Sequence, residues 1–289
     1  MSFQRLALIG CGLMGGSFAL ALRQAGQVQH VCGYSASHTS RERALQLGVI
    51  DQSCNSIAEA VAEADLVLLA VPVAATQDCL AQMREHLHAD ALVMDVGSTK
   101  QDVVQAARTA LGDRLSCLVP AHPIAGKEKA GIEHADALLY QQRLLVLTPL
   151  PETRAGWSDR AQAVWQAVGS RVVQLTPEQH DAAFAAVSHL PHLAAFALMR
   201  AITQQSERAL FLSLAGPGFR DFSRIAASDP VVWRDIFLAN RDEVLRQSQH
   251  LRKALDELEN AMHHNDGARL QELIESASQA RSQWRMTGD

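Results

Sequence analysis

The sequence lacks any long run of basic residues. Its 26 lysine and arginine residues are outnumbered by 31 aspartate and glutamate residues, which gives a formal net charge of −5. Proteins that bind nucleic acid or anionic membranes through charge carry a basic patch or stripe. Neither nucleic acid nor a membrane is therefore expected as a partner of this chain.

The sequence also has little cysteine and lacks the paired spacing C-x-x-C. The five cysteines are odd in number and scattered, at Cys11, Cys32, Cys54, Cys79 and Cys117. This pattern argues against a disulfide framework and against a zinc site, and it is typical of free thiols in a reducing compartment. We expect a cytoplasmic protein without a metal site.

One segment near the N-terminus is long and uncharged enough to resemble a membrane span or a signal segment. It runs from Leu6 to Leu22, between Arg5 and Arg23. Four glycines within seven residues argue against both interpretations, and no Ala-x-Ala-like cleavage site follows. We interpret the chain as globular, and 289 residues are enough for two domains that each bury a core.

The same segment carries a glycine fingerprint, G-x-G-x-x-G, between an apolar strand-like run and a helix-forming run. Gly10 permits a sharp turn, Gly12 lets the backbone approach a pyrophosphate, and Gly15 lets the helix pack closely on the strand. The diphosphate would bind the backbone N–H groups at the start of the helix. The cofactor-binding residues expected in this turn are Gly10, Gly12, Leu13, Met14 and Gly15.

The residue that closes the second strand normally contacts the adenosine ribose. After the predicted strand Val31 to Tyr34 this residue is Ser35, where NAD-selective proteins have an acid. Hydroxyl and guanidinium groups follow, among them Ser37 and Arg41, and they suit a 2'-phosphate. We therefore favour NADP as the cofactor. NAD stays open, because Arg41 and Arg43 equally fit a solvated helix face.

Further apolar runs predict central parallel strands with helices on both faces, at Leu66 to Val71, Leu92 to Val96 and Leu115 to Val119. Ligands bind beyond the carboxyl ends of such strands. The residues that follow these strands are therefore expected at the same edge as the glycine turn: Val71 with Pro72, then Ser98, then His122. Two later runs, Leu144 to Leu147 and Val172 to Leu175, predict further strands.

The pattern changes near residue 176. Thr176, Pro177 and Gln179 combine an N-cap residue, a proline at the first helical position and a reciprocal side chain, so a helix is expected to begin there. No convincing strand pattern follows. We predict an α/β protein with an N-terminal Rossmann-type doubly wound sheet over residues 1–175, followed by an all-α dimerisation domain over residues 176–289.

Dimerisation is a hypothesis from helix length. A helix from about Pro230 to His263 would be roughly 50 Å long at 1.5 Å per residue, which is longer than a domain of this size buries by itself. Apolar residues at helical spacing form one stripe, Leu251, Leu255, Leu258 and Met262, and a second, Leu270, Leu273, Ile274 and Ala277. We expect a homodimer through these helices.

Polar residues stand at places in the helical half where a simple core does not favour them. Ser188 to His192 puts two histidines three residues apart around a proline, and a pair of hydrogen-bonded histidines is the simpler interpretation than a metal site. Gly216 to Arg224 leads to guanidinium groups, and such a run is more commonly a solvated inter-helix loop. Asp229 and Pro230 begin a helix, in which Trp233 alone would count as core.

Together these segments resemble one family. Gly-Ser-Thr-Lys at 97–100, His-Pro-Ile-Ala-Gly at 122–126, Ser-His-Leu-Pro-His at 188–192 and Gly-Phe-Arg-Asp-Phe-Ser-Arg-Ile-Ala at 218–226 occur in the order found in prephenate and arogenate dehydrogenases, before Asp229, Pro230 and Trp233. The resemblance spans nearly the whole chain. It implies oxidative decarboxylation of prephenate to 4-hydroxyphenylpyruvate, or of arogenate to tyrosine, on the route to tyrosine, with hydride transfer to NAD(P).

The resemblance also implies roles for the matching residues. His122 would accept the proton or hydrogen bond of the ring hydroxyl, for which a neutral imidazole is suited, and Ser98 would orient it and border the nicotinamide. Arg224 would hold a substrate carboxylate. His192 and Ser188 would form the helical wall of the same pocket, with Trp233 as its apolar lining.

One departure from the family pattern follows residue 126. Many relatives have threonine and then glutamate there, whereas this chain has Lys127 and then Glu128. A cation beside the pocket favours the dianionic prephenate, while a lysine that faces solvent has no such effect. We assign both residues to substrate binding, and the choice between prephenate and arogenate stays open.

Two other functions remain as alternatives. A β-hydroxyacid-type dehydrogenase also joins a dinucleotide domain to a helical one, but members of that family have a catalytic lysine on a helix after a glycine-rich stretch. None of the lysines here has that setting, at Lys100, Lys127, Lys129 and Lys253. A non-catalytic NADP-sensing protein on the same fold would need neither His122 nor Arg224.

Overall fold

The computed structural model describes residues 2–127 and 129–285. Within these ranges the N-terminal half is built on two β-sheets. Its strands are β1 Phe3–Ile9, β2 Val28–Tyr34, β3 Gln52–Ser53, β4 Leu66–Leu69, β5 Leu92–Asp95, β6 Leu118–Val119, β7 Ala121–Pro123, β8 Leu144–Leu147 and β9 Arg171–Gln174.

Helices alternate with these strands and then replace them. The helices of the N-terminal half are α1 Leu13–Gln24, α2 His38–Gln46, α3 Ile57–Val61, α4 Thr76–Met83, α5 Gln101–Leu111 and α6 Trp157–Ala167. The C-terminal half continues with α7 Pro177–Phe184, α8 Leu190–Thr203, α9 Arg208–Ser213, α10 Pro217–Ser223, α11 Pro230–Ala239, α12 Arg241–His263 and α13 Gly267–Gln283. An α/β half followed by a helical half confirms the predicted fold class.

The larger sheet is parallel throughout and has the order β3-β2-β1-β4-β5-β6. Ile9 of β1 pairs with Leu69 of β4, and Leu69 pairs with Asp95 of β5, so these three strands end at the same edge. The chain order reverses between β1 and β4, which is where doubly wound sheets bind ligands. The glycine turn after β1 leaves the sheet at this point.

Alternate residues of the central strands belong to separate cores. Leu6 and Leu8 of β1 pack in one cluster with Phe18 of α1, whereas Ala7 and Ile9 pack in another cluster with Val104 of α5. Both faces of the sheet are therefore covered by helices, as the uninterrupted apolar runs predict.

The predicted strand Leu115 to Val119 is wrong at its start. A 3-10 segment covers Gly112–Cys117, and β6 is confined to Leu118–Val119. Pro120, which has no N–H to donate to a strand, separates β6 from β7. His122 therefore lies in the smaller sheet, where β7 runs antiparallel to β8, rather than at the end of the sixth parallel strand.

The helical half begins as predicted at Thr176, whose side chain accepts from Gln179 N while the Gln179 side chain accepts from Thr176 N. A π-helical segment, Ala185–His189, joins α7 to α8 just before Pro191. The continuous run Pro177–Thr203 is apolar and long enough to cross a membrane, and 22% of its most apolar window is buried. It nevertheless carries buried polar side chains that bond to the N-terminal half, which suits a helix packed within a folded protein.

The single helix predicted from about Pro230 to His263 is wrong, because Asn240 interrupts it with φ −107° and ψ 32°. The Asn240 side chain is buried and donates from Nδ2 to the backbone oxygen of Asp181 at 2.8 Å. The Asn240 side chain at this break therefore lies inside the helical half, where its hydrogen bond connects α11 and α12 to α7.

The two helices after this break expose much of their apolar surface in the single chain. On α12, Leu251, Leu255 and Met262 are 42%, 50% and 55% exposed, and Ile274 on α13 is 54% exposed. None of the described residues of α13 is buried. Apolar faces of this size are typical of surfaces that another chain covers.

Candidate active site

The glycine turn is shaped by close backbone contacts. Gly10 has φ +107°, and a Cβ there would lie 2.2 Å from the backbone oxygen of Ala70. A Cβ at Gly15 would lie 2.5 Å from the backbone oxygen of Gly10. A Cβ at Gly12 would meet no atom of the described residues within 4 Å, and no described side chain caps α1 at this residue. The turn therefore keeps an open approach to the N–H groups of α1, as a dinucleotide diphosphate requires.

A cavity of about 670 Å³ opens beside this turn. Of the residues predicted to bind cofactor, those that line the cavity are Gly10, Gly12, Ser35, Val71 and Pro72. Thr39, Ser40, Glu42 and Arg43 of α2 add hydroxyl, carboxylate and guanidinium groups to the same wall. The arrangement fits the adenosine end of a dinucleotide at the switch point of the sheet.

The other predicted cofactor residues do not line this cavity. Arg41 is buried and donates from its guanidinium to the backbone oxygen of Ser35, so it supports the ribose loop from beneath. The Ser37 hydroxyl caps α2 by accepting from Ser40 N at 3.2 Å. Leu13 is buried at the start of α1, and the backbone oxygen of Met14 accepts from the Tyr140 hydroxyl at 2.7 Å.

A second cavity, of about 600 Å³, lies between the two halves. His122 reaches it from β7, whereas Ser188, His192 and Arg224 reach it from the helical half. Apolar and cationic groups complete its wall, among them Leu139, Arg143, Phe184 and Val187. The structure thus brings four of the predicted catalytic and substrate residues to one place.

His122 stands at the end of a buried chain of polar side chains. Its Nδ1 lies 2.8 Å from Nε2 of His180, and Nδ1 of His180 lies 2.8 Å from Oδ1 of Asp181. Burial holds the pKa of His122 well below the ordinary value, and the neighbouring His180, Lys100 and His189 lower it further. His122 is therefore neutral near neutral pH, so one ring nitrogen keeps a lone pair that can accept a hydrogen bond.

Lys100 and Asp181 fix the frame of this chain. The fully buried Lys100 ammonium bonds to the Asp95 carboxylate and donates to the backbone oxygen of Ala121 at 2.8 Å. The other oxygen of Asp95 accepts from Ala121 N at 2.9 Å, so β7 is tied to the end of β5 one residue before His122. Asp181 accepts from the backbone N–H groups of Lys100 and Gln101, which ties α7 to the start of α5.

Two predicted substrate residues of the helical half act together. The rings of His192 and Trp233 are stacked, with centroids 3.5 Å apart, and Nδ1 of His192 lies 2.9 Å from the backbone oxygen of Ser188. That oxygen accepts only, so the proton of neutral His192 is on Nδ1. Trp233 does not line the cavity, and it meets the site through His192.

The remaining predicted residues are less directly connected to the cavity. Lys127 is bonded through Nζ to Asp136 at 2.9 Å and does not line it. Ser98 is half-buried in the loop before α5 and lines neither cavity, and the Nδ1 partner of His122 among the described residues is His180. Glu128 lies outside the described residues.

Three further residues, His180, Asp181 and Arg143, are not predicted from the sequence. The signal for the first two is two consecutive titratable residues directly before the apolar run that begins at Ala182. That signal does not identify the hydrogen-bond partner of His180, because His180 contacts His122, which is 58 residues away in the sequence. Arg143 carries no sequence signal, since it follows a turn that resembles an ordinary surface loop.

Comparisons with known proteins match both halves of the chain to one family. A family model described as the nucleotide-binding domain of prephenate dehydrogenase matches residues 18–174, and one described as its dimerization domain matches residues 176–276. The cyclohexadienyl dehydrogenase of Zymomonas mobilis is 34% identical over 281 residues, which cover 96% of this chain and 95% of that protein.

Solved structures give the same result. The prephenate dehydrogenase of Aquifex aeolicus in complex with hydroxyphenyl propionate and NAD+ has a TM-score of 0.91 and 37% identity, and the match covers 98% of both chains. The arogenate dehydrogenase of Synechocystis has a TM-score of 0.84 and 26% identity, with 98% of this chain and 100% of that chain covered. Since both family models and full-length relatives match it, this chain belongs to the prephenate dehydrogenase family.

Proposed function

We propose that this NAD(P)-dependent dehydrogenase oxidatively decarboxylates prephenate or arogenate. The observation that carries the proposal is that His122, from the smaller sheet, and Arg224, from the helical half, line one cavity. A proton acceptor and a guanidinium group around one cavity suit a ring that carries a hydroxyl at one end and a carboxylate at the other. Ser188 and His192 would complete the helical wall, with Trp233 holding the His192 ring in place.

His122 would handle the hydroxyl proton. A bound nicotinamide supplies the acceptor for the hydride that leaves the ring carbon. Nε2 of His122 accepts the hydroxyl proton as this carbon becomes carbonyl-like, and it returns the proton when the C–CO2 electron pair makes the ring aromatic and the oxygen phenolic. The overall reaction of prephenate therefore yields the phenol, CO2 and reduced cofactor with no net proton.

The cationic groups would position the substrate. Prephenate carries a ring carboxylate and a side-chain carboxylate, and guanidinium groups bind such groups through two parallel hydrogen bonds. We assign one carboxylate to Arg224 and the other to Arg143, which lines the same cavity. Lys127 would contribute charge from outside the cavity, and Glu128 stays a prediction from the family pattern.

For the cofactor we propose NADP in preference to NAD. The absence of a carboxylate at Ser35 supports this choice, as do the hydroxyls of Thr39 and Ser40 and the guanidinium of Arg43 in the cavity wall. The Glu42 carboxylate lines the same wall and opposes a 2'-phosphate, so we expect both cofactors to work. Ser98 would border the nicotinamide, and Gly15 would hold α1 against the sheet.

We further propose a homodimer, with the domain boundary at residues 175 and 176. The exposed apolar residues of α12 and α13 support an interface through the helical domain, and the matching dimerization-domain model supports the same arrangement. A cytoplasmic location agrees with five cysteines that are all free and buried. Light scattering of the purified protein tests the dimer.

The test of function is a set of four initial rates, prephenate and arogenate each with NADP and with NAD, followed by product analysis for CO2. We expect reduction of cofactor coupled to decarboxylation with at least one substrate. Binding of NADP without turnover of either substrate would contradict the proposal and favour the NADP-sensing alternative. The β-hydroxyacid alternative gains no support, because Lys100 is buried in an ion pair and Lys127 is bonded to Asp136.

A further inference from the structure

Three side chains from two halves of the molecule form a continuous hydrogen-bonded line. His122 belongs to β7, while His180 and Asp181 belong to the first two turns of α7. The two contacts in the line are both 2.8 Å long, and His180 and Asp181 are 0% and 1% exposed. Neither residue lines the substrate cavity, so the line begins at the cavity and ends behind it.

The Asp181 carboxylate at the end of the line determines which ring nitrogen carries the proton in His180 and in His122. Burial raises the pKa of Asp181, but hydrogen bonds from His180 and from the backbone N–H groups of Lys100 and Gln101 together lower it below the ordinary value, so its carboxylate is ionised and accepts only. Neutral His180 must then carry its proton on Nδ1 and expose a lone pair on Nε2. His122 must donate from Nδ1 to that lone pair, which leaves the lone pair of its own Nε2 free for the substrate hydroxyl.

We propose that His180 is a positioning residue that sets the basic tautomer of His122 and shares the proton taken from the substrate. The inference rests on the proposed function, since it gives His122 the hydroxyl proton. The proton bonded to the substrate oxygen moves to Nε2 of His122, and the proton on Nδ1 of His122 moves to Nε2 of His180. His180 then becomes an imidazolium beside the Asp181 carboxylate, and reversal of both transfers returns the proton to the phenolic oxygen.

The charges around the line favour this direction of transfer. The cavity that His122 faces already holds the guanidinium groups of Arg143 and Arg224, and Lys100 and His189 also lower the pKa of His122. Burial, with Lys100, also lowers the pKa of His180, but the Asp181 and Asp95 carboxylates partly offset this effect, whereas burial and the neighbouring cationic and histidine groups all lower the pKa of His122. A positive charge is therefore better tolerated on His180 than on His122.

Two substitutions of His180 test the proposal in complementary ways. The His180 ring packs against Phe184 with the centroids 4.5 Å apart, so His180→Phe keeps an aromatic ring there and removes both hydrogen bonds. His180→Gln keeps an oxygen that accepts from His122 but cannot take a proton. His189→Gln is the matched control, because His189 is also buried near His122 but bonds to Asn240 and lies outside the line.

The experiment measures kcat, substrate KM, the pH profile of kcat/KM and cofactor affinity for the wild type and the three variants. We expect kcat to fall about 10- to 100-fold in His180→Gln and further in His180→Phe, with substrate KM and cofactor affinity within about threefold of wild type. The acidic limb of the His180→Phe profile should move to lower pH by about half a unit or more, because the loss of the acceptor for protonated His122 outweighs the loss of the like-charge effect of His180. His189→Gln should keep kcat within about threefold and move the limb slightly to higher pH, the opposite direction, because His189 lowers the pKa of His122.

Each result decides between a positioning role and a structural one. Wild-type kcat and an unmoved acidic limb in either His180 variant would overturn the relay, as would a loss of cofactor binding in both. If one variant does not bind cofactor, the other decides. The proposed function is separate: it fails if the wild type turns over neither substrate, and it stands if His122→Asn is inactive while the His180 variants are normal.

Discussion

The two cavities of this enzyme are built from different parts of the chain. The cavity proposed for the dinucleotide lies at the edge of one sheet and depends on backbone positions such as Gly10 and Gly12, where a side chain would collide or obstruct. The cavity proposed for the substrate lies between two halves, and its predicted catalytic and binding groups are side chains, with His122 from one half and His192 and Arg224 from the other.

This difference predicts which mutations change binding and which change the rate of the chemical step. A site made of backbone is altered by adding atoms, and the effect falls on cofactor affinity or on the fold. A site made of side chains is altered by removing atoms, and the effect falls on turnover or on substrate affinity. Mutations in the two cavities should therefore change different kinetic constants.

The largest effect is expected for His122→Asn. Asparagine cannot take the hydroxyl proton, so kcat should fall by about 10²- to 10⁴-fold, the range for loss of a general base. The cofactor cavity does not include His122, so the dissociation constant of NADP, measured by fluorescence or calorimetry, should stay within a factor of two or so. Turnover near the wild-type rate would remove His122 from the mechanism.

Arg224→Ala should mainly change substrate affinity. Loss of a bidentate carboxylate contact costs about 2 to 3 kcal/mol, so substrate KM should rise about 30- to 150-fold while kcat falls less. The control is Arg220→Ala, since Arg220 is exposed, pairs with its neighbour Asp221 and lines neither cavity. A KM equal to that of the control would refute the assignment of Arg224 as a carboxylate clamp.

The contrast between the cavities also explains how much the sequence could predict. Backbone geometry can be predicted directly from the sequence where only certain residues fit it, as at a positive φ or in a strand buried on both faces. Gly10, Gly12 and the uninterrupted apolar runs are such cases. The fold class, the switch point and the capped start of α7 at Thr176 followed from such local rules.

The rest depends on contacts between distant segments. The partner of His122 is 58 residues away, and the break at Asn240 exists because its side chain bonds to Asp181 in another helix. No local periodicity encodes either contact. Arg41 shows the same limit. Its spacing from Ser35 fits a guanidinium that binds a phosphate as well as it fits the buried guanidinium that donates to the backbone oxygen of Ser35 in the structure.

A pair of glycine variants sharpens the comparison. Gly12→Ala adds a Cβ with no described atom within 4 Å, so the fold should be unaffected, while cofactor KM should rise about tenfold because the methyl group obstructs the pyrophosphate. Gly10→Ala forces alanine to φ +107° and against Ala70, so it should destabilise the protein by about 3 kcal/mol or more. Thermal unfolding measures the second effect, and equal melting temperatures for the two variants would contradict it.

The smallest effect is expected for Arg43→Ala. Arg43 lines the cofactor cavity and lies 3.4 Å from Glu133, in an exposed ion pair that shares its charge. Removal should raise the KM for NADP about three- to tenfold and leave the KM for NAD unchanged, because an exposed guanidinium contributes only about 1 kcal/mol to a 2'-phosphate.

Glu133→Gln is the matched control for this side-chain contribution to a cavity otherwise built from backbone. It frees Arg43 from its partner, so the KM for NADP should fall or stay the same, in the opposite direction to Arg43→Ala. If Arg43→Ala raises the KM for NAD and the KM for NADP equally, the guanidinium does not bind the 2'-phosphate. The hydroxyls of Thr39 and Ser40 and the amide of Gln46 would then be the groups of α2 in the cavity wall that could favour NADP over NAD.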